Sequence, residues 1–517
     1  MKKYKLISAG LIAAVMAVAP LTSCSDYLDV NENPNFPQVT TMEALLPSAC
    51  ASTVAQLGWN GCIIGNMWLQ HTTQGNSTNQ YNTTVNYSMS VSSYNTLFTN
   101  AYANTLPDLK EVIEKAEAAE AWNYWVVAKV LTAYNYHMLT DMYEDIPFTE
   151  AINHDQYPYP KYDDSKSVVY PGILAMLDEA IAKKNDALLG TNPTMGKYDM
   201  FMNGNMDNWI KFAKNLKLKV LMRDFATNRS AIESLLAEDD FLFEDCAMTC
   251  FEDATNKGNP LYEYNIRQLN TTQNIRACHT LCEYLITYKD PRIESIYEKV
   301  GKASSGETDY SVKYEGLPCG YKPATASVPL STTSRYYQAY DDPVYLMNAA
   351  EINFLVAEAY ARLENAQQAK VYYEAGVAAS FNRWSVSAGK ADAFIAAGGP
   401  YAFDAASTDA MLKCILTQKW ISYAKANTLD GVFDRNRTGI PSISTAETVR
   451  VSYMPQEREL TPGYELGTFV APATSVLEST AYPRRLLVPN VSSQYNPNAP
   501  QTKALDEPMW WQVAKGK

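Results

Sequence analysis

A chain of 517 residues with a formal net charge of −13 is too acidic to be predicted as a nucleic-acid-binding protein, because basic surfaces bind phosphate backbones. The chain has 36 Tyr and 9 Trp but only 15 Phe, and aromatic rings with a polar edge suit wet binding surfaces. It has four His and lacks the G-x-S-x-G, H-E-x-x-H, Walker and G-x-G-x-x-G patterns. We therefore predict a binding protein and not an enzyme, with no catalytic residue, metal site or cofactor.

The first 23 residues have the pattern of a secretory signal peptide. Three lysines precede an apolar run over residues 6–19, which is shorter than the roughly 20 apolar residues that cross a bilayer. Residues 21–24, Leu-Thr-Ser-Cys, resemble the lipobox of bacterial lipoproteins. We expect cleavage before Cys24, acylation of Cys24 and membrane anchoring through the acyl chains.

The remainder of the chain is predicted to be a tether followed by one domain. Residues 24–40 are polar and rich in Asn and Pro, which indicates a lipidated, extended tether. No Gly/Ser-rich or Pro-rich linker divides the residues beyond it. Residues 41–517 are therefore predicted to form a single solute-binding domain.

Helices are the predicted elements of that domain, and long irregular segments separate them. Helical periodicity begins near residue 41 and recurs over residues 97–120, 122–143, 167–186, 208–227, 343–363, 366–380 and 409–426. Polar segments rich in Asn, Ser, Thr, Gly or Pro lie at 70–93, at 300–340 and from 438 onward. The alanine-rich pair at 343–380 resembles a tetratricopeptide hairpin. We predict an all-α fold of tetratricopeptide-like helix pairs, with long irregular loops and little β structure.

The segment over residues 208–227 is the most clearly amphipathic. Lys211, Lys214, Lys217 and Lys219 lie opposite an apolar stripe that includes Trp209. We interpret the lysines as a solvated face.

Eight cysteines lie beyond the predicted anchor. Cys246 with Cys250 and Cys278 with Cys282 have C-x-x-x-C spacing, and His279 lies inside the second pair. The neighbouring residues do not resemble a zinc knuckle or ribbon, so buried thiols are the favoured interpretation. A disulfide among the eight stays open.

Short motifs in a fixed order along the chain carry a family resemblance. Besides the lipobox with residues 24–35, they are residues 143–150 (Tyr-Glu-Asp-Ile-Pro-Phe-Thr-Glu), 209–223, 290–292 (Asp-Pro-Arg), 348–359, 418–421 (Gln-Lys-Trp-Ile), 435–441 (Arg-Asn-Arg-Thr-Gly-Ile-Pro) and 482–490. The ordered set resembles the SusD/RagB family, the nutrient-binding outer-membrane lipoproteins of Bacteroidetes. Within the motifs, Trp209, Glu351 and Trp420 lie at helical spacing and are interpreted as packing residues.

The resemblance implies a scaffold of tetratricopeptide-like helix pairs with one loop-rich face. It also implies a lipid-anchored protein on the outer membrane that faces the cell exterior. Such a protein would cover a SusC-like, TonB-dependent barrel, capture an oligosaccharide and pass it to that barrel.

Ligand contacts are expected where aromatic rings, which cover the C–H faces of sugars, lie beside amides, which bond hydroxyl groups. The segment 65–94 is the first choice, the proline-spaced tyrosines at 157–162 are the second, and residues 335–337 are the third. The individual residues singled out are Trp68, Gln70, Asn79, Tyr81, Tyr87, Tyr94, Tyr159 and Tyr336.

Two alternatives stay open beside glycan capture. Aromatic and amide residues suit an oligopeptide as well as a sugar, so the same role with peptides is one of them. The other is a scaffold of the transporter complex without a small ligand of its own, because tetratricopeptide arrays commonly bind proteins.

Overall fold

The computed structural model describes residues 40–514 apart from residues 76–79, 272–273, 302–306, 308, 322–331, 386 and 453–456. The predicted signal peptide, Cys24, nearly all of the predicted tether and Asn79 lie outside the described residues. In the described part, the buried apolar side chains from Leu45 to Trp511 form one contiguous cluster.

Helices make up most of the regular structure, as the sequence predicts. The α-helices of the described residues are α1 (Met42–Gln56), α2 (Cys62–Trp68), α3 (Asn82–Val85), α4 (Asn95–Asn100), α5 (Leu106–Ala118), α6 (Trp122–Tyr143), α7 (Tyr170–Ala182), α8 (Lys184–Ala187), α9 (Met206–Leu221), α10 (Phe225–Glu238), α11 (Pro260–Tyr262), α12 (His279–Thr287), α13 (Ile293–Ile296), α14 (Tyr310–Lys313), α15 (Ala349–Arg362), α16 (Ala366–Asn382), α17 (Ala391–Ile395), α18 (Thr408–Ser422), α19 (Thr428–Thr438) and α20 (Asn490–Tyr495). Shorter turns of other helix types are the π-helical turns Leu57–Gly61, Ala101–Thr105, Ser165–Val169 and Glu263–Gln268 and the 3₁₀ turns Gly196–Tyr198 and Met222–Asp224.

Four short strands form two small sheets in the described part of the chain. The strands are β1 (Thr72–Gln74), β2 (Cys246–Met248), β3 (Ile275–Ala277) and β4 (Val344–Met347). β1 pairs with β3 and β2 pairs with β4, both antiparallel. The prediction of an all-α fold with little β structure is therefore confirmed.

One error in the predicted elements concerns the residues just before α15. The sequence predicts a helix from residue 343, but Val344–Met347 is a strand and the helix begins at Ala349. The side chain of Asn348 accepts a hydrogen bond of 3.0 Å from the Glu351 N–H, and this N-cap sets the start of the helix. The cap, and not the apolar run, decides where the strand ends and the helix begins, because a short apolar run suits either element.

The helices pack as neighbouring pairs. α15 packs against α16 and α18, and α6 packs against α5 and α7. The α15–α16 pair approaches closely at Gly376, where a Cβ atom would lie 2.7 Å from the Phe354 ring. The buried face of α15 includes Ala357 and Ala359. The predicted tetratricopeptide-like packing is confirmed by these contacts.

Two residues of the family motifs, Trp209 and Trp420, are core residues, as interpreted from their spacing. Trp209 and Trp420 are buried, and each indole N–H is satisfied inside the protein. Trp209 donates to the Asp199 carboxylate at 2.6 Å, and Trp420 donates to the Leu69 carbonyl at 2.9 Å.

The solvated-face interpretation of the α9 lysines is wrong for Lys214 and Lys219. Lys219 is 2% exposed, and its ammonium group lies 2.5 Å from Glu351 Oε1 and 2.7 Å from Asp430 Oδ2. Lys214 is mostly buried and bonds Glu238 at 2.7 Å. The apolar stem of lysine packs in the core while its charged end meets carboxylates from other elements, and helical periodicity alone does not reveal those partners.

Candidate functional site

Most of the aromatic and amide residues predicted to contact ligand are packed inside the protein. Trp68, Gln70, Tyr81 and Tyr87 are each 5% exposed or less. Trp68 donates to the Thr84 carbonyl at 3.1 Å. In this structure these four side chains pack the interior and do not line an open surface.

The physical reason is that the predicted loop crosses the interior beside distant parts of the chain. The Gln70 amide donates to the Val470 carbonyl at 2.6 Å, and the Tyr482 hydroxyl donates to the Trp68 carbonyl at 2.7 Å. Buried backbone groups need such partners, and side-chain amides supply them. The aromatic and amide residues that predicted a solvent-exposed loop therefore form hydrogen bonds inside the protein, where this segment crosses the interior.

The other predicted ligand residues lie in different environments. Tyr336 is 3% exposed, and its hydroxyl accepts a hydrogen bond from the Lys425 N–H at 3.2 Å. Tyr94 is half-buried, and its hydroxyl lies 2.5 Å from Thr84 Oγ1. Tyr159 is 57% exposed. Tyr94 and Tyr159 are therefore the described members of the set that reach solvent.

A different group of aromatic and amide residues does form an open surface. Rings at Trp59 and Tyr264 lie 4.4 Å apart between centroids, and the Gln80 amide donates to the Tyr264 hydroxyl at 3.3 Å. All three side chains are half-buried or exposed, and we call Trp59, Tyr264 and Gln80 the Trp59 surface. Tyr262 and Tyr340 form a separate half-buried aromatic pair, 6.3 Å apart between centroids.

Two π-helical turns present the central rings of the Trp59 surface. Trp59 lies on the turn Leu57–Gly61, which joins α1 to α2, and Tyr264 lies on the turn Glu263–Gln268. A π-helical turn adds one residue to a helix and redirects the side chains on it, and such turns are frequent at functional sites. α2 is fixed on the far side, because a Cβ atom at Gly65 would lie 2.4 Å from the Thr428 backbone.

Local hydrogen bonds hold the Tyr262–Tyr264 turn in place. Asn259 caps α11 by accepting from the Leu261 N–H at 2.9 Å, and Pro260 occupies the first turn. The Glu263 carboxylate accepts from the Gly258 N–H at 3.0 Å and pairs with Arg267. The aromatic side chains are therefore carried by a capped and bonded segment, which limits the entropy lost on binding.

The same turn connects the first predicted ligand segment to the residues that follow the third. The Asn259 N–H donates to the Tyr340 carbonyl at 2.6 Å, and the Asn265 amide donates to Gln338 Oε1 at 3.1 Å. Gln80 belongs to the first predicted segment and bonds Tyr264. The structure thus joins segment 65–94 to the chain that follows residues 335–337.

Tyr81 supplies a buried hydroxyl beside this surface. Burial raises the pKa of Tyr81, and the neighbouring hydroxyls of Tyr264 and Tyr94 raise it further. The Tyr81 hydroxyl has no hydrogen-bond partner among the described residues. It stays neutral at physiological pH and keeps its capacity to donate and accept hydrogen bonds.

The proline-spaced tyrosines lie in a different environment from the Trp59 surface. The Tyr159 carbonyl accepts from the Asn498 amide at 2.7 Å, and the Pro160 carbonyl accepts from the Asn496 amide at 2.7 Å. Both donors follow α20. The second predicted segment therefore packs against the C-terminal part of the chain.

The sequence contains one signal that points to the missed residues. Trp59 is followed by Asn60, and Tyr262 and Tyr264 are followed by Asn265, so aromatic and amide residues are adjacent at both turns. These runs are short and about 200 residues apart, and single-chain composition does not show that they meet.

Cavities among the described residues give a second candidate location. A cavity of about 30 Å³ beside the Trp59 surface has room for a water molecule only. A cavity of about 460 Å³ lies elsewhere, with Asp409, Lys413 and Glu465 in its lining and no aromatic side chain among its described lining residues. Its volume suits a small ligand, but its lining lacks the rings that cover a sugar face.

One buried acidic cluster has the spacing of a metal site but is occupied by arginine. Candidate ligand atoms of His279, Glu283 and Glu315 lie within 4.8 Å of one another. Arg450 lies 2.5 Å from Glu315 and 3.0 Å from His279 Nε2, and Arg458 lies 2.6 Å from Glu283. Two guanidinium groups balance the two carboxylates, so the cluster is an ion network of the core.

Comparison with known proteins places this helical fold in a class of outer-membrane-associated binding proteins. The model of the SusD-like family described as "Starch-binding associating with outer membrane" matches residues 34–460. The match covers more than half of the chain, so the chain belongs to this SusD-like family. The resemblance to SusD/RagB proteins carried by the ordered motifs is confirmed.

Solved structures show the same fold at low sequence identity. A Bacteroidetes SusD-like protein has a TM-score of 0.71 and 19% identity, and the match covers 92% of this chain and 100% of that one. A chitin-binding SusD homologue from Flavobacterium johnsoniae has a TM-score of 0.70 and 20% identity, with 92% and 98% covered. A SusD homologue from Bacteroides uniformis has a TM-score of 0.68 and 21% identity, with 92% and 98% covered. No curated protein matches the chain.

Membrane association of the family is not accompanied by a spanning helix in the described residues. Within those residues, every helix is either too short or too polar to cross a bilayer.

Proposed function

We propose that this protein is a lipid-anchored glycan-binding protein of the outer membrane that captures a neutral oligosaccharide. The observation that carries the proposal is the Trp59 surface, where the Trp59–Tyr264 aromatic pair lies beside the exposed Gln80 amide. Aromatic faces cover the C–H faces of a sugar ring, and the Gln80 amide bonds hydroxyl groups. The family description and the chitin-binding relative support a glycan as ligand.

The charges around the Trp59 surface favour a neutral ligand. Arg267 pairs with Glu263 at 2.9 Å, and Lys425 pairs with Asp342 at 2.7 Å. Paired charges exert a weak field on a ligand, whereas an anionic glycan would be attracted by unpaired basic groups.

Delivery to a transporter is the second part of the proposal. A SusC-like, TonB-dependent barrel receives the captured ligand, and the protein itself has no catalytic role. Anchoring through acylated Cys24 and the tether of residues 24–40 holds the single domain of residues 41–517 at the cell exterior. Isolation of the protein from outer membranes with such a barrel bound to it tests this partnership, and recovery of the protein alone after mild extraction would contradict it.

Calorimetric titration of the full chain against neutral oligosaccharides, including starch and chitin fragments, and against mixed peptides tests ligand capture. We expect saturable binding to an oligosaccharide that Trp59→Ala and Tyr264→Ala weaken by about tenfold or more, because central aromatic side chains dominate binding energy. Tyr495→Ala is the matched control, since Tyr495 is 76% exposed and lies on α20. Its binding should equal that of the unchanged protein.

Each of the other results of this titration would lead to a different conclusion. Loss of binding through Tyr159→Ala, with Trp59→Ala neutral, would move the site to the proline-spaced tyrosines. Binding to peptides alone would refute a glycan ligand and keep the capture role. Absence of binding to both panels would contradict capture and favour a scaffold.

A further inference from the structure

Two buried cysteines from distant parts of the chain meet at the end of β3. Cys278 is the N-cap residue of α12, and Cys319 follows the irregular segment after α14. Both are buried, at 0% and 2% exposure, and both are free thiols in this structure.

Backbone pairing brings the two cysteines side by side. Leu317 pairs with Cys278 in a parallel bridge, donating to the Ala277 carbonyl at 2.8 Å and accepting from the His279 N–H at 2.8 Å. Cys319 lies in the turn that begins at Pro318, two residues beyond this bridge. The bridge therefore holds the backbone of Cys319 close to that of Cys278.

The two thiols share a hydrogen bond. Burial raises the pKa of the Cys278 thiol, but the bond from Cys319 and bonds from Thr280 outweigh it and hold the pKa below its ordinary value. The same bond, together with burial, raises the pKa of Cys319 well above its ordinary value. This pattern is that of a Cys319 thiol donating to the Cys278 sulfur.

We propose that Cys278 and Cys319 form a disulfide when the chain is exported. The family is associated with the outer membrane, and chains that reach it pass through the periplasm, where disulfides form and persist. Sulfur atoms in hydrogen-bond contact need only a small approach to reach the bonded distance of about 2.05 Å.

The oxidation balances through thiol–disulfide exchange with a disulfide-bonded oxidoreductase. One cysteine thiolate attacks the oxidant disulfide, which forms a mixed disulfide and releases one oxidant thiolate. The second cysteine thiolate then attacks the protein sulfur of the mixed disulfide, which forms the Cys278–Cys319 bond and releases the other oxidant thiolate. The protein loses two electrons and two protons, and the oxidant becomes a dithiol. Both thiols are buried after folding, so the exchange occurs before this region closes.

The bond would lie beside β1, on the segment that leads to Gln80. The Cys278 N–H donates to the His71 carbonyl at 3.2 Å, and the Gly320 N–H donates to Thr73 Oγ1 at 3.0 Å. His71 and Thr73 lead into the segment that carries Gln80. A covalent link here restrains residues 279–318 and the start of that segment together.

Peptide mapping of the full chain tests the bond directly. The chain is exported in a disulfide-forming bacterial host, denatured without reductant in an alkylating agent and digested with trypsin. The peptide of residues 277–289 contains both Cys278 and Cys282, so Cys282→Ser identifies which of them is bonded. We expect the unchanged protein and Cys282→Ser to give a peptide linked to Cys319, and Cys319→Ser to give none.

Thermal unfolding provides a readout that does not depend on mapping. A reductant should lower the midpoint of the unchanged protein and of Cys282→Ser by about 5 °C, because the bond closes a long loop, and should leave Cys319→Ser unaffected. Recovery of Cys278 and Cys319 as alkylated thiols, or a Cys278–Cys282 bond, would overturn the proposal. None of these outcomes depends on which ligand the protein binds.

Discussion

His71 lies in the buried crossing beside the candidate site, where its ring meets a backbone carbonyl. Nε2 lies 3.1 Å from the Trp420 carbonyl oxygen, so Nε2 carries the proton and donates it. Burial lowers the pKa of His71 to about 3, although the hydrogen bond to Trp420 acts in the opposite direction. The folded protein therefore contains the neutral imidazole.

This burial predicts a loss of stability in mild acid. The folded pKa lies below the ordinary value of about 6.5, so the unfolded chain takes up the proton first as pH falls. The free energy of unfolding should decrease by up to about 1.4 kcal/mol per pH unit below pH 6.5 through this residue alone. In His71→Gln, which keeps an amide donor for Trp420, denaturant unfolding at pH 7, 6 and 5 should show a shallower slope.

The exposed His154 provides the control for that slope. His154→Gln should leave the pH dependence as it is, since this side chain meets water in both states. An unchanged slope in His71→Gln would refute the assignment of acid sensitivity to His71.

Single residues show how far composition predicts a site. The excess of Tyr and Trp correctly indicated aromatic side chains with polar partners, but Trp68 and Gln70 found those partners inside the protein. Trp59 lies on a π-helical turn and is half-buried. The exposure of a side chain depends on residues that are distant in the sequence, and the residues next to it do not show which these are.

At the scale of elements, a buried ion group joins α9, α15 and α19. Lys219 lies between Glu351 and Asp430, and all three side chains are 2% exposed or less. Burial raises the pKa of Glu351 to about 7, although Lys219 acts in the opposite direction. The positive charge of Lys219 therefore stabilises these two carboxyl groups in the core.

Lys219→Met should destabilise the protein by about 3–5 kcal/mol, because it leaves two buried carboxyl groups without their cation. Urea unfolding at pH 7 measures the change. Lys217→Met on the same helix removes a partly exposed ion pair with Asp178 and should cost less than about 1 kcal/mol. Equal effects of the two substitutions would contradict the distinction between buried and exposed lysines.

The predictability of the elements follows from their environment. α6 was predicted over residues 122–143 and occupies Trp122–Tyr143, because an almost fully buried helix has a long apolar run between clear boundaries. Among the described helices of eight residues or more, α10, α12 and α19 were not predicted. α19 contains Arg435 and Arg437, which are buried, and a helix with charged residues in the core lacks the usual apolar stripe.

At the scale of the whole molecule, the order of the motifs predicted the family, but no motif predicted the Trp59 surface. The motifs predicted the helical scaffold, since most of their residues pack between helices. The Trp59 surface is assembled from Trp59, Gln80 and Tyr264, which single-chain patterns do not place together. Long-range pairing, such as β1 with β3, produces that assembly.

Membrane attachment belongs to this scale as well. Cys24→Ser should prevent the proposed acylation and release the protein from the outer-membrane fraction, because acyl chains would supply the apolar area of the proposed anchor. Fractionation with labelling by radioactive palmitate measures both effects. Cys414→Ser, which alters a half-buried thiol on α18, should change neither. Label retained in Cys24→Ser would refute the assigned anchor.

The π-helical turn at Leu57–Gly61 constrains how this protein can change over generations. Deleting one residue there would rotate α2 by about 100° about its axis and withdraw Gly65 from the Thr428 backbone. A residue larger than glycine would then face the Thr428 backbone, where there is no room for a side chain. Under the proposed function, substitution of Trp59 can change ligand preference while the fold is kept, whereas deletion of one residue from this turn would disrupt the packing of α2.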